Sequence, residues 1–282
     1  VIYSVELRLR VVQVVEPGGI TGHHAYGFFL GLMARASGAV STRLHDQAGP
    51  KPFTLSPVAP ADPTARRLAL VEGARLRLRV TLLQEEAFAY LADAVWRLPA
   101  DQGLPLGTAR VACDGLITAP DQSPWARFTS FEELLESAGE ERRLGLAFTS
   151  PTTFRSKGDR NVLFPEPSLV LGSLLSRWNA FAPEGLNLGQ DVVSAVRLFS
   201  YRLNTRMLDF GSYHEQGFCG QATYGIGEGL SRDQVRALQA LAGFAFYGGV
   251  GAKTTMGMGQ ARRCENARTV PHRARGYSEK RG

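Results

Sequence analysis

Residues 74–98 read ARLRLRVTLLQEEAFAYLADAVWRL. Leu76, Leu78, Val80 and Leu82 fall on one face, and Arg75, Arg77, Arg79 and Thr81 on the other. That period of two is the signature of a half-buried strand, with the apolar row inward and the arginines outward. The pattern changes after Leu83, and Glu85 to Leu98 reads as a helix. Working outward, Ser4 to Val11 alternates in the same way, with Val5, Leu7, Leu9 and Val11 against Glu6, Arg8 and Arg10. His24 to Ala36 reads as a helix with Phe29, Leu32, Met33 and Ala36 on one stripe. Ser41 to Pro63, rich in proline and small residues, reads as a long loop, and Gly107 to Thr118 as a strand.

The pattern breaks at Ala119-Pro120-Asp121-Gln122-Ser123-Pro124, the expected domain boundary. A short helix capped by Ser130 and Glu133 follows, and then a second series begins. Leu144 to Phe154 reads as a strand and Leu169 to Phe181 as a helix with Ser168 at its N-cap. Val192 to Leu203 and Phe218 to Tyr224 read as strands, Arg232 to Leu241 as a helix with Ser231 and Gln234 in capping-box spacing. A last strand crosses a glycine-rich loop. Each half thus runs strand, helix, one or two strands, helix, strand, the order of a split βαβ unit. The expected fold is α+β, with two tandem ferredoxin-like (RRM-like, βαββαβ) domains at residues 1–124 and 125–268 and a basic tail at 269–282.

That loop, Gly248 to Gly259, holds five glycines, Lys253 and the hydroxyls of Thr254 and Thr255. Gly249 and Gly251 let backbone N–H groups approach an anion, while Lys253, Thr254 and Thr255 add a charge and donors, chemistry that suits phosphate. A P-loop needs Gly directly before the Lys-Thr pair, where Ala252 stands, and a dinucleotide fingerprint opens a domain rather than closing one. The polyanion expected here is nucleic acid. Net charge is +6, and 28 of the 32 basic residues are arginine, the planar donor suited to phosphates and bases. Three separated cysteines make no disulfide framework, and His214 with Cys219 makes no zinc site, so neither metal nor cofactor is expected. No apolar run reaches the roughly 18 residues of a membrane helix and no signal peptide precedes the first strand, which reads as a cytoplasmic chain without a membrane partner.

Several segments, in order, resemble the CRISPR-associated endoribonucleases of the RAMP superfamily that cut precursor CRISPR RNA within its repeats. They are Leu44-His45 with Lys51-Pro52-Phe53-Thr54-Leu55-Ser56-Pro57, Phe164-Pro165-Glu166-Pro167 leading into Trp178-Asn179-Ala180-Phe181, Gly217-Phe218-Cys219-Gly220-Gln221, and the loop around Lys253. The resemblance implies metal-independent cleavage by attack of the 2′-hydroxyl, leaving 2′,3′-cyclic phosphate and 5′-hydroxyl ends. It assigns acid–base work to His45, orientation or exchange of the 2′ proton to Tyr26, and stabilisation of phosphorane charge to Lys51. His24, at the start of the first helix, is an alternative or accessory to His45. The bland readings are a helix-capping or loop-bonding His45, a solvated Lys51 and a core Tyr26. Met258 stands where relatives often carry an aromatic residue. The resemblance also implies that the hairpin flanked by Arg202 and Arg206 grips repeat RNA together with the loop. Arg155, Lys157 and Arg160 cluster just after a strand and could join that grip, although a single arginine is more often a solvated face. The implied partner is precursor CRISPR RNA; an effector complex and a homodimer stay open. The competing reading is a non-catalytic RNA-binding scaffold of the same superfamily. A general RRM-like binder ranks last, because the expected strands carry few aromatics in their centres.

Overall fold

The computed structural model describes residues 1–65, 67–99, 102–155 and 160–264. Lys157, His272 and the basic tail at 269–282 lie outside the described residues. The first half contains β1 (Ile2–Val14), α1 (Gly22–Ala36), α2 (Gly38–Asp46), β2 (Phe53–Leu55), β3 (Arg75–Leu82), α3 (Glu85–Arg97) and β4 (Ala109–Ile117). The second contains β5 (Arg143–Thr152), α4 (Pro167–Phe181), β6 (Val196–Asp209), β7 (His214–Ile226), α5 (Arg232–Gly248) and β8 (Ala261–Arg263). The sheets are antiparallel, with orders β2-β3-β1-β4 and β6-β7-β5-β8. Both put the first strand of the half next to its last, as two ferredoxin-like units require. Short strands at Ala59–Pro60, Leu104–Leu106 and Arg127–Thr129 extend the first sheet, the last by pairing with the start of β1.

Register follows the alternation. Leu7 faces Leu78 and Val5 faces Val80 across β1 and β3, and one apolar core gathers these with Phe29, Leu32 and Met33 of α1. A second core joins Trp178 of α4, Phe244 of α5 and Phe148 and Phe218 of the second sheet. No helix among the described residues is long and apolar enough to cross a membrane.

Four local expectations need correction. The segment from Ser41 to Pro63 is not a single loop, since it finishes α2 and forms β2. Ser37 caps α2 by accepting from the Val40 N–H at 3.3 Å, and Val40 and Leu44, one turn apart, are buried. Val192 and Val193 lie in a short helix, Gln190–Ser194, before β6 begins at Val196. Helix α4 starts at Pro167, whose missing N–H costs nothing in a first turn, so Ser168 is inside the helix rather than its cap. Arg79, expected on the outward face, is only 4 % exposed. The second domain covers that face. The guanidinium donates to Ser4 Oγ at 2.8 Å, Gln260 Oε1 at 2.6 Å and the Phe246 carbonyl, and lies 4.1 Å from the Phe246 ring.

Candidate functional site

Helix α1 sets the site. Thr21 caps it by accepting from the His24 N–H at 3.3 Å, while His24 Nδ1 accepts from the Thr21 N–H at 3.1 Å. The His24 ring is therefore part of the cap, and it abuts the turn at Gly107. Tyr26, on the next turn, is stacked beside Phe53 with ring centroids 6.0 Å apart, and its hydroxyl lies 3.3 Å from His45 Nδ1. His45 occupies the last turn of α2 and is exposed. The structure thus brings Tyr26 and His45 together from positions 19 apart in sequence. Burial first, and the neighbouring Asp46 carboxylate second, hold the Tyr26 phenol above its ordinary pKa. It stays protonated at neutral pH and can donate to His45 Nδ1, which leaves the proton of a neutral His45 on Nε2.

Lys51 does something the sequence did not foretell. Its ammonium donates to the carbonyls of His45 and Gln47, both at 2.6 Å, and so closes the C-terminal end of α2. A positive charge there also suits the helix dipole. Lys51 thereby holds the backbone of His45 itself.

The glycine-rich loop packs against this corner from the other domain. Gly22, one turn before Tyr26 on α1, is where the Met256 carbonyl seats: a Cβ at Gly22 would stand 2.1 Å from that oxygen. Gly251 has φ +81°, and a Cβ there would meet the Thr153 carbonyl at 2.3 Å. The N–H groups of Gly249 and Gly251 are bonded within the protein, to the Ala245 carbonyl at 3.1 Å and to Ser173 Oγ at 2.8 Å. These glycines provide shape. Thr254 is buried and its hydroxyl accepts from Arg177 of α4 at 3.1 Å; the same guanidinium donates to the carbonyls of Gly248 and Gly249. Thr255 is half-buried.

Lys253 is, among the described residues, the one non-glycine residue with positive φ, at +53°. That backbone aims its side chain at the tip of the β6–β7 hairpin. Its Nζ pairs with Glu215 and donates to the Tyr213 hydroxyl at 3.0 Å. Burial raises the Glu215 pKa, but hydrogen bonds from Lys253 and Asn161 and the Lys253 charge outweigh it, leaving the carboxyl below its ordinary value. The tip also crosses to the first domain: Phe210 meets the His23 ring edge-on at 5.3 Å, and Tyr213 Oη lies 3.5 Å from His23 Nε2. Arg202 and Arg206 are exposed along β6, and Arg155 is exposed just past β5. Arg79 and Arg77 line a cavity of ≈ 210 Å³ between the domains with Glu6, Trp125 and Ser150. Among the described residues no three His, Cys, Asp or Glu side chains group as metal ligands.

Sequence reasoning missed Phe210, Tyr213, Glu215 and Arg177. Only the aromatic pair flanking Gly211 in an otherwise polar turn, Phe210 and Tyr213, gave a local signal.

Comparison with known proteins places this geometry. The family model described as CRISPR Cas6 N-terminal domain matches residues 1–136, and that of CRISPR-associated endoribonuclease Cas6 matches residues 146–261. A Thermus thermophilus Cas6 in a product complex is 31 % identical, with TM-score 0.80 over 94 % of this chain and 100 % of its own. A second Cas6 product complex is 30 % identical, with TM-score 0.74 over 94 % of this chain and 99 % of its own. A Mycobacterium tuberculosis CRISPR-associated endoribonuclease Cas6 is 25 % identical over 207 residues, which are 72 % of this chain but only 63 % of that relative. On these matches, and on two ferredoxin-like halves joined through the glycine-rich loop, the chain belongs to the CRISPR-associated endoribonuclease Cas6 family.

Proposed function

We propose that this chain is an endoribonuclease that cleaves precursor CRISPR RNA within its repeats without a metal ion, by attack of the 2′-hydroxyl on the adjacent phosphate. The products are a 2′,3′-cyclic phosphate and a 5′-hydroxyl. The first half, residues 1–124, supplies the acid–base group, and the second, residues 125–268, grips the RNA. The observation that carries the reading is the Tyr26–His45 contact at 3.3 Å, one helical turn from the seat of the glycine-rich loop.

Cleavage needs a proton taken from the 2′-hydroxyl, a proton given to the leaving 5′ oxygen, and positive charge near the phosphorane. As the imidazolium, His45 carries protons on both nitrogens, with Nδ1–H donating to the Tyr26 oxygen and Nε2–H outward, the form that protonates a leaving oxygen. With the imidazole proton on Nδ1 and the phenol oxygen accepting, Nε2 is instead free to take the 2′ proton. The tyrosine oxygen serves both states by accepting from Nδ1–H, so the ring keeps one orientation while Nε2 gains and gives up a proton. Lys51 fixes the end of α2 and brings a positive charge beside His45. His24, held in its cap, is the accessory candidate. Lys253 and Thr255 from the loop, with Arg155, Lys157, Arg202 and Arg206, contact the RNA backbone, while Gly249, Gly251 and Thr254 shape the loop that presents them.

The test is cleavage of an end-labelled repeat RNA in EDTA, with a parallel RNA carrying one 2′-deoxy sugar just upstream of the cut. Cleavage in chelator, blocked by the deoxy sugar and slowed about 10²–10⁴-fold by His45→Ala with binding intact, is the expected result. Normal cutting by His45→Ala moves the assignment to His24. Tight binding without any cleavage by the wild type replaces the enzyme with a scaffold.

A further inference from the structure

The hairpin tip between β6 and β7 carries an aromatic pair that hairpin formation alone does not require. Phe210 is 3 % exposed, and Tyr213 stacks on it with an interplanar angle of 1° and centroids 5.1 Å apart. Tyr213 is itself 39 % exposed, so one ring face is backed by a buried aromatic while a good part of the residue meets solvent. Its hydroxyl is held from two sides, by Lys253 at 3.0 Å and His23 at 3.5 Å. The ring is thus fixed by the glycine-rich loop, by the first domain and by its own hairpin. His23 lies one turn of α1 before Tyr26, on the same side of the helix, which puts this surface beside the group assigned to proton transfer. A flat, oriented aromatic face in a chain of net charge +6 suits the π-face of a nucleobase, which stacks on aromatic rings with little regard to sequence.

From this we propose that Tyr213 is a stacking platform for one nucleobase of the RNA, next to the phosphate on which His45 acts. The inference rests on the endoribonuclease reading and deepens it. Lys253 is paired with the buried Glu215 carboxylate and stands 4.4 Å from the Tyr213 ring centroid, but Tyr213 itself carries no charge, so its own contact with the base is made through the ring. Its contribution is therefore insensitive to salt, unlike that of a phosphate contact, which weakens steeply as salt rises.

The experiment measures the affinity of a repeat RNA carrying the cleavage-blocking 2′-deoxy sugar for the wild type, Tyr213→Phe and Tyr213→Ala at low and high salt. A set of RNAs lacking one base at a time is measured alongside. Tyr213→Ala is expected to weaken binding by about 5- to 150-fold, the span of a single base–aromatic stack, equally at both salt concentrations. Tyr213→Phe keeps the ring and stays close to wild type. One base-lacking position costs the wild type the same factor and costs Tyr213→Ala nothing. The proposal is overturned if Tyr213→Ala binds within twofold of wild type, if Tyr213→Phe loses as much as Tyr213→Ala, or if every base deletion adds to the alanine defect. Should Tyr213→Ala fail to fold, by circular dichroism, Tyr213→Phe and the base-deletion series in the wild type still decide: no single position with a salt-independent penalty overturns it. A wild type that binds and cuts while these tests fail loses only this inference; a wild type that binds no repeat RNA loses both.

Discussion

Replacing Tyr26 by phenylalanine separates two roles that the geometry allows. The substitution removes one hydroxyl and keeps the ring stacked on Phe53. The bond lost is the contact to His45 Nδ1, which at 3.3 Å is long and sits at an exposed edge. A hydrogen bond of this kind contributes about 0.5–1.5 kcal/mol net. At about 1.36 kcal/mol per factor of ten, an orienting Tyr26 is then worth about 2- to 13-fold in rate. A Tyr26 that itself carries the 2′ proton is worth about 10²–10⁴-fold. We expect the smaller figure, because burial and Asp46 hold its phenol protonated and make it a poor base. The assay is single-turnover cleavage at saturating enzyme in EDTA, which reads the chemical step apart from binding. The double variant Tyr26→Phe/His45→Ala completes the cycle: acting only through His45, Tyr26 has nothing left to lose, and the double variant cuts as slowly as His45→Ala alone. A further drop beyond His45→Ala, or a single-variant loss above 100-fold, refutes the orienting role.

Two further outcomes follow from the packing of the loop. Gly22→Ala places a Cβ 2.1 Å from the Met256 carbonyl, a backbone atom that cannot swing aside; we expect about 1–3 kcal/mol lost in denaturant unfolding, with cleavage falling more than RNA binding as the loop shifts from α1. The Glu215 carboxyl has a folded pKa below its unfolded one, so its contribution to stability is present above the ordinary carboxylate range and is lost as pH falls through the lowered folded value. Acid titration monitored by thermal unfolding is expected to show a steeper loss for the wild type than for Glu215→Gln; equal slopes refute the linkage.

Much of the scaffold was legible because strand alternation is a local signal. Residues 75–82 form a strand and Glu85–Arg97 a helix where the pattern puts them, and the capping pairs at Ser130–Glu133 and Ser231–Gln234 are both made. What escaped was non-local. The outward position of Arg79 follows from its own strand, yet a second domain turns that face into an interior, and no period of two records it. Helix α2 has just two buried residues, too thin a stripe to stand out from proline-rich surroundings, although Ser37 before Val40 was a usable cap signal. The glycine-rich loop stood out by composition, but composition alone does not tell whether a glycine presents an N–H to a ligand or makes room for a carbonyl. At Gly251 and Gly259 it makes room. Tyr26 and His45 were singled out by resemblance; their contact depends on α2 folding back along α1, fixed by Ser41 Oγ donating to the Leu30 carbonyl at 2.9 Å.

The polar character of the domain junction bears on how such a site holds its shape. Apolar contact alone would bury the two sheets against each other in many nearly equivalent ways. Arg79 restricts the choice, since its three acceptors, Ser4, Gln260 and Phe246, come from both domains, and a misplaced guanidinium would be left buried and unpaired. Gln260 passes that constraint to the loop: its side chain donates to Thr54 Oγ1 at 3.2 Å and to the Leu55 carbonyl at 3.1 Å, on the strand that begins two residues after Lys51. Thr81 repeats the link from β3, donating to the Tyr247 carbonyl at 2.6 Å near the end of α5. A chain of specific hydrogen bonds therefore runs from the interface to both ends of the glycine-rich loop. With the loop seated on α1 at Gly22, the position of Lys253 and Tyr213 relative to His45 is set by domain docking rather than by either half alone.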